Sequence, residues 1–391
     1  VNKALQNTES IPSPASPERC RVAAARAVCF SFLAWLLAVF LLAIFFPGPG
    51  NLLRSISFPG LLSTAPNPLS HVILGGLLFC AGLTVESARM PRLKLGTYPA
   101  SLLSVWGIPF LAVLLIGSIA VPLGVNEGII LGLILAVAMP VANASVGWTH
   151  LGGGNLPLIL ALLLGATVMA PITAPWMTQT LAGLCLSGST PLDGVLPLNQ
   201  IARFLGFWVV LPTVVGAVVG ILSRKQGIVW SVRWLRRVSL TCLLLLNYIN
   251  ASLALPLIKS GSIVFQGLLC STLLIGVLLL ASWFFARLLK LGPAERISLS
   301  LACGMKNTGA ALVLAGTQFQ DEPAVLMTIL LQALLQNLCA ALLVSIAVKN
   351  ETARPDDTAQ IPLPSSALPA PESELRESLH QRREHCETAG S

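Results

Sequence analysis

The sequence predicts an all-α polytopic membrane protein with ten transmembrane helices, arranged as an inverted five-plus-five repeat in which helices 4 and 9 are broken. Three observations predict it. Hydrophobic residues make up 55% of the chain and charged residues 10%, with a mean hydropathy of +0.81; soluble domains carry about 25% charged residues. The apolar residues come in near-continuous runs of about 20, the length at which a helix crosses the hydrocarbon core, without the two-residue alternation of a membrane barrel. Finally, the fourth and ninth runs are each interrupted near the middle, at corresponding places in the two sets of five, as expected of an inverted-repeat transporter.

Residues 1–26 are polar, contain the stretch IPSPASPERC and are expected to form a disordered cytoplasmic segment. Residues 27–46 form the first span rather than a signal peptide, because the run is long, follows a polar lead and precedes no small-residue cleavage site. The second span, 69–85, carries Gly75, Gly76 and Gly82, which suit close helix contact. Further spans are expected at 98–121, 128–148, 156–184, 201–222, 238–258, 263–289, 294–319 and 323–348. Residues 349–391 turn polar and rich in Pro, Ser and Glu, a composition that cannot bury a core, so a second disordered cytoplasmic tail is expected.

Charge supports that count. One set of alternate connections, the N-terminal segment included, holds fifteen Lys and Arg; the other holds only Arg54, Arg203 and Lys259. The positive-inside rule then puts both ends in the cytoplasm, with the chain integral to the cell membrane. The net charge of +8 sits in these short connections rather than on one face, which argues against nucleic acid as a partner. The nine cysteines are scattered without metal-ligand spacing, so no metal site is expected among them.

The ninth run contains LACGMKNTGAALVLAG (301–316), where Lys306 is a charged residue in the middle of an apolar stretch. Gly304 and Gly309 weaken a helix there, while Asn307 and Thr308 can bond a backbone released from the ladder. An ammonium at mid-bilayer costs about 2.5–3.5 kcal/mol on insertion scales and marks a functional site by default. In the fourth run, Pro140 removes a helical hydrogen bond just before Asn143, Ser145 and Thr149. Prolines alone are common in membrane helices; paired with Lys306, this one points to a site. The candidate substrate-binding residues are therefore Asn143, Ser145, Thr149, Lys306, Asn307 and Thr308, joined by Gln336 and Asn337 on the next helix and by Ser104 facing the same cavity. Asn247, Tyr248, Asn250, Ser252 and Gln332 are expected chiefly to bond neighbouring helices.

At GLTVE (82–86), AMPVANASVGWTHLGGGN (138–155) and GMKNTGAALVLA (304–315), the chain resembles the bile acid:sodium symporter family, over roughly 27–348. The resemblance implies a panel of helices 1, 2, 6 and 7, a core of helices 3–5 and 8–10 inside which the broken helices 4 and 9 cross, and alternating access for small organic anions such as bile salts, pantoate or 2-oxo acids. It also implies sodium. The family's ninth-helix crossing usually reads Glu-x-Gly-x-Gln-Asn, against Ala302 to Asn307 here; its fourth-helix motif usually ends Ser-Asn, against Ser145 and Val146; and hydroxyl positions of the fifth helix align with Ile159 and Leu163. Sodium needs oxygen ligands, so these replacements point to a sodium-independent carrier in which Lys306 is a cation surrogate. Carrying a proton, tethering the crossing and pairing with a substrate carboxylate are the roles open to it. An enzyme is not expected, since no HExxH and no mid-span carboxylate pair is present; a non-transporting sensor of an organic anion on the same fold is the alternative.

Overall fold

The computed structural model describes residue 31 and residues 34–56, 67–85, 96–186, 198–228, 230–254 and 261–352. Both expected tails and the connections 86–95, 187–197 and 255–260 lie outside the described residues, apart from the helical end of the last helix. The elements among the described residues are all helices, without a strand beyond one isolated bridge.

The first helix, α1 (Ala34–Phe45), turns by 88° into α2 (Pro47–Ser55), a helix that was not expected. Pro47 opens α2 at a position where its missing N–H costs nothing, and Tyr248 donates its hydroxyl to the carbonyl at the corner, Phe46 O, at 2.7 Å. There follow α3 (Pro68–Val85), α4 (Tyr98–Ala120), α5 (Glu127–Ala138), α6 (Ala144–Leu151) and α7 (Leu156–Cys185). The second half holds α8 (Leu198–Leu205), a π-helical turn (Gly206–Val210), α9 (Leu211–Lys225), α10 (Val232–Ala254), α11 (Gly261–Leu288), α12 (Pro293–Gly304), α13 (Thr308–Gln318) and α14 (Pro323–Thr352). The widened turn precedes Pro212, which has no N–H to continue a regular ladder.

Side chains set several starts. Asn126 accepts from Gly128 N at α5, Asn155 accepts from Leu158 N at α7, and the Glu295 carboxylate accepts from Gly292 N at α12. Among the described residues six helices, the run Leu198–Lys225 counted as one, are long and apolar enough to cross a membrane alone, or seven if the bent pair is one span; Pro68–Thr84 and Glu127–Ala138 are shorter apolar helices. The seventh expected span begins earlier than 238, at Val232, so that Arg233 and Arg237 join the helix.

Two groups of helices emerge from the packing. In one, α3 lies against α9 and α10, and α10 against α2. Gly82 and Gly216 make the α3–α9 crossing: a Cβ on Gly82 would run into Thr213 O, and one on Gly216 into Phe79 O. Of the three glycines expected to serve close contact, Gly82 does so; Gly76 has open space and Gly75 has ordinary contacts. In the other group, α4, α5, α7, α11 and α12 pack on one another. Helix α13 touches both groups, meeting α5 on one side and α10 and α3 on the other.

Candidate functional site

The two interrupted runs meet at their breaks. After α5 the chain is extended through Met139 and Pro140, and after α12 through Met305 and Lys306. The two breaks pair in antiparallel fashion about Val141 and Lys306. Asn307 N donates to Pro140 O at 2.9 Å, and Ala142 N donates to Met305 O at 3.0 Å. Each break thus satisfies backbone groups that the other helix has released, which lets irregular chain persist at membrane depth. The N-termini of α6 and α13, both positive dipole ends, start at this crossing.

Lys306 is wholly buried. Its backbone N–H donates to Gln336 Oε1 at 3.0 Å, and its ammonium Nζ donates to Val105 O of α4 at 2.7 Å. Three residues earlier, Cys303 directs its thiol to the preceding carbonyl, Ser104 O, at 3.6 Å. Gln336 also donates from Nε2 to Thr308 Oγ1 at 3.3 Å, and Asn307 caps α13 by accepting from Ala310 N at 3.1 Å. One fully buried cluster therefore joins Lys306, Asn307, Thr308 and Gln336.

The remaining candidates are spread further. Asn143 is half-buried at the N-cap of α6, next to Ala142, and makes no capping bond with its side chain. Ser145 is buried and returns its hydroxyl to Ala142 O at 2.7 Å. Thr149 is buried toward the far end of α6, packed against Gly154, and its hydroxyl has no hydrogen-bond partner. Asn337 accepts from Trp148 Nε1 at 3.2 Å and donates to Ala333 O, so it ties α14 to α6. Ser104 spends its hydroxyl on Ser101 O at 2.7 Å and reaches the cluster through its carbonyl.

Some partners had no signal in the sequence. Val105 contributes only a backbone oxygen, which any residue carries. Trp148 was visible as an indole inside a span, where its N–H needs a partner. On α10, Asn247 and Asn250 correct the expectation of interhelical bonds: each donates to a carbonyl one turn back in its own helix, Leu243 O and Leu246 O, at 2.8 Å. Tyr248 does bond a neighbouring helix segment, through Phe46 O. Both polar atoms of the Gln332 amide are buried without a partner.

Helix α13 meets the first group of helices at both ends. A Cβ on Gly309 would lie 3.9 Å from both Leu243 of α10 and Leu74 of α3. At the other end, Arg54 of α2 and Asn67 both donate to Gly316 O, and Arg54 Nε donates to Asn67 Oδ1 at 2.9 Å. The ammonium of Lys306 bonds α4 of the second group, whereas Gly309, on the turn that follows, lies beside α10 and α3 of the first.

The site is electropositive: it combines one buried ammonium with two helix N-termini. Among the described residues no group of three His, Cys, Asp or Glu side chains stands together to hold a metal ion. The positions that the resemblance assigns to sodium ligands are poor in oxygen. Ala302, Ile159 and Leu163 are buried and bring no side-chain oxygen, and Lys306 brings an amine instead. Such a site can hold negative charge or a fixed internal cation.

Comparison with known proteins identifies the family. A family model described as the Sodium Bile acid symporter family matches residues 71–266, a stretch that includes the α5–α6 break and stops before the α12–α13 break. The chain is 29% identical over 214 residues to the Bacillus subtilis (strain 168) "Uncharacterized protein YbaS", covering 54% of this chain and 67% of that one. It is 24% identical over 272 residues to the same organism's "Uncharacterized sodium-dependent transporter YocS", covering 69% and 80%. Identity is 25% over 271 residues to the "Probable sodium/metabolite cotransporter BASS2, chloroplastic" of Oryza sativa subsp. japonica, covering 67% and 60%.

Proposed function

This chain belongs to the sodium bile acid symporter family, and from that premise we propose that it is a secondary active transporter of small organic anions, of the bile-salt-like, pantoate or 2-oxo acid class. On this reading ten spans form an inverted repeat with both termini cytoplasmic. The group containing α4, α5, α7, α11 and α12, carrying the crossing, moves against the panel of α2, α3, α9 and α10 around a fixed mid-membrane site. The substrate carboxylate binds beside the N-termini of α6 and α13, near Asn143, Asn307 and Thr308, where partial positive charge is available without a bound metal.

Two relatives are named as a sodium-dependent transporter and a sodium/metabolite cotransporter. Here Lys306 takes the place of the cation, so that uptake does not require sodium. The observation that carries this reading is the wholly buried Lys306 ammonium, bonded to Val105 O of α4. A resident charge in that position keeps the crossing electropositive through the transport cycle.

Proteoliposomes holding the full chain test it. Labelled pantoate, a 2-oxo acid and a bile salt should be offered in sodium and in choline medium. The expected result is uptake of at least one of them at equal rates in the two media, abolished by Lys306→Ala. Strict dependence of wild-type uptake on sodium overturns the surrogate role, and specific binding without accumulation of any of the three anions favours a sensor over a carrier.

A further inference from the structure

We propose that Pro109 is the positioning residue for Lys306: by withholding an N–H inside α4 it frees the Val105 carbonyl that holds the lysine ammonium.

Helix α4 is continuous from Tyr98 to Ala120 with Pro109 inside it. In a regular helix the N–H of residue 109 bonds the carbonyl four residues back, that of Val105. Proline has no N–H, and its ring also presses that carbonyl away from the helix axis. Val105 is wholly buried, so the freed oxygen has no water to turn to. The Lys306 ammonium, 201 residues away in sequence, meets it at 2.7 Å. The preceding carbonyl, Ser104 O, receives the Cys303 thiol, so two successive carbonyls of α4 face the end of α12.

Each partner resolves the other's deficit. An ammonium at this depth needs an oxygen acceptor, and an orphaned carbonyl needs a donor that its own helix cannot supply. A proline elsewhere in α4 would free a different carbonyl on a different face, since successive residues turn by 100° around the helix axis. Position 109 therefore fixes which oxygen the ammonium finds. This bears on transport only through the reading of Lys306 as the resident cation.

A double-mutant cycle tests the coupling through the unfolding midpoint of the full chain in detergent, with no substrate present. Lys306→Met should lower the midpoint by several degrees, because Val105 O loses its donor. Adding Pro109→Ala to that variant should recover part of the loss, because the restored N–H closes the helical bond to Val105 O. In the wild-type background Pro109→Ala should give no gain, and in a Lys306→Gln background, where a shorter side chain still carries an N–H donor, a smaller gain than with methionine. That reversal of effect with the residue at 306 is something a merely kink-forming proline would not produce. The same shift for Pro109→Ala in all three backgrounds overturns the proposal. The sodium dependence of uptake answers separately: the cycle can hold while the surrogate reading fails, and the reverse.

Discussion

Asn143 and Asn307 stand at the same place in their two broken runs, the N-cap of the second half-helix, yet only Asn307 uses its side chain as a cap. Asn307 Oδ1 accepts from Ala310 N at 3.1 Å. The Asn143 side chain, half-buried beside the crossing, makes no such bond. One asparagine caps its helix; on the proposed function its counterpart is the one that meets the substrate.

Asn307→Ala is expected to destabilise the protein by about 1 kcal/mol, the usual worth of an N-cap. Asn143→Ala should leave the unfolding midpoint almost unchanged while reducing anion uptake or ligand-induced stabilisation. A pair of thermal melts for each variant, with and without a candidate anion, reads both effects. Equal loss of stability in the two variants would contradict the division of roles.

Gln336 serves two segments at once, accepting from Lys306 N and donating to Thr308 Oγ1. Gln336→Leu should cost about 1–3 kcal/mol, since it leaves the buried Lys306 N–H at the crossing unpaired. Gln336→Glu should cost less, because a carboxylate oxygen still accepts that N–H. The order of the unfolding midpoints, wild type above Glu above Leu, is the check.

At the α3–α9 crossing, Gly82→Ala or Gly216→Ala should destabilise by about 1–3 kcal/mol, because the new methyl meets backbone rather than a movable side chain. Gly76→Ala, with nothing within 4 Å of the added methyl, should be neutral or stabilising by up to about 1 kcal/mol. Midpoints in detergent separate the two classes. A Gly82→Ala variant as stable as Gly76→Ala would mean that the two helices pack less closely than described.

Much of this architecture was legible from residue types. Near-continuous apolar runs give buried or lipid-facing helices, and the breaks announced themselves through Pro140 in one run and through Gly304, Lys306 and Asn307 in the other. The bend at Phe46 was less legible, because PGPG after an apolar run reads equally as a loop. Its helical continuation depends on contacts with α10, where Tyr248 holds the corner carbonyl and Ser252 lies so close to Gly50 that no side chain would fit there. The asparagines of α10 misled for a related reason: an amide inside a helix can bond a carbonyl one turn back as readily as a neighbouring helix, and composition does not decide between them.

By itself the sequence determined an apolar helical protein with two interrupted runs, one buried amine and no carboxylate to answer it, because those are properties of residues and of their spacing along one chain. Tertiary structure alone decided that the two interruptions bond each other, that Gln336 bridges Lys306 and Thr308, and that the ammonium rests on Val105 O. The physical reason is that most of these partners are backbone oxygens and N–H groups. Every residue carries them, and only the packing of helices far apart in the chain selects which are freed and which meet.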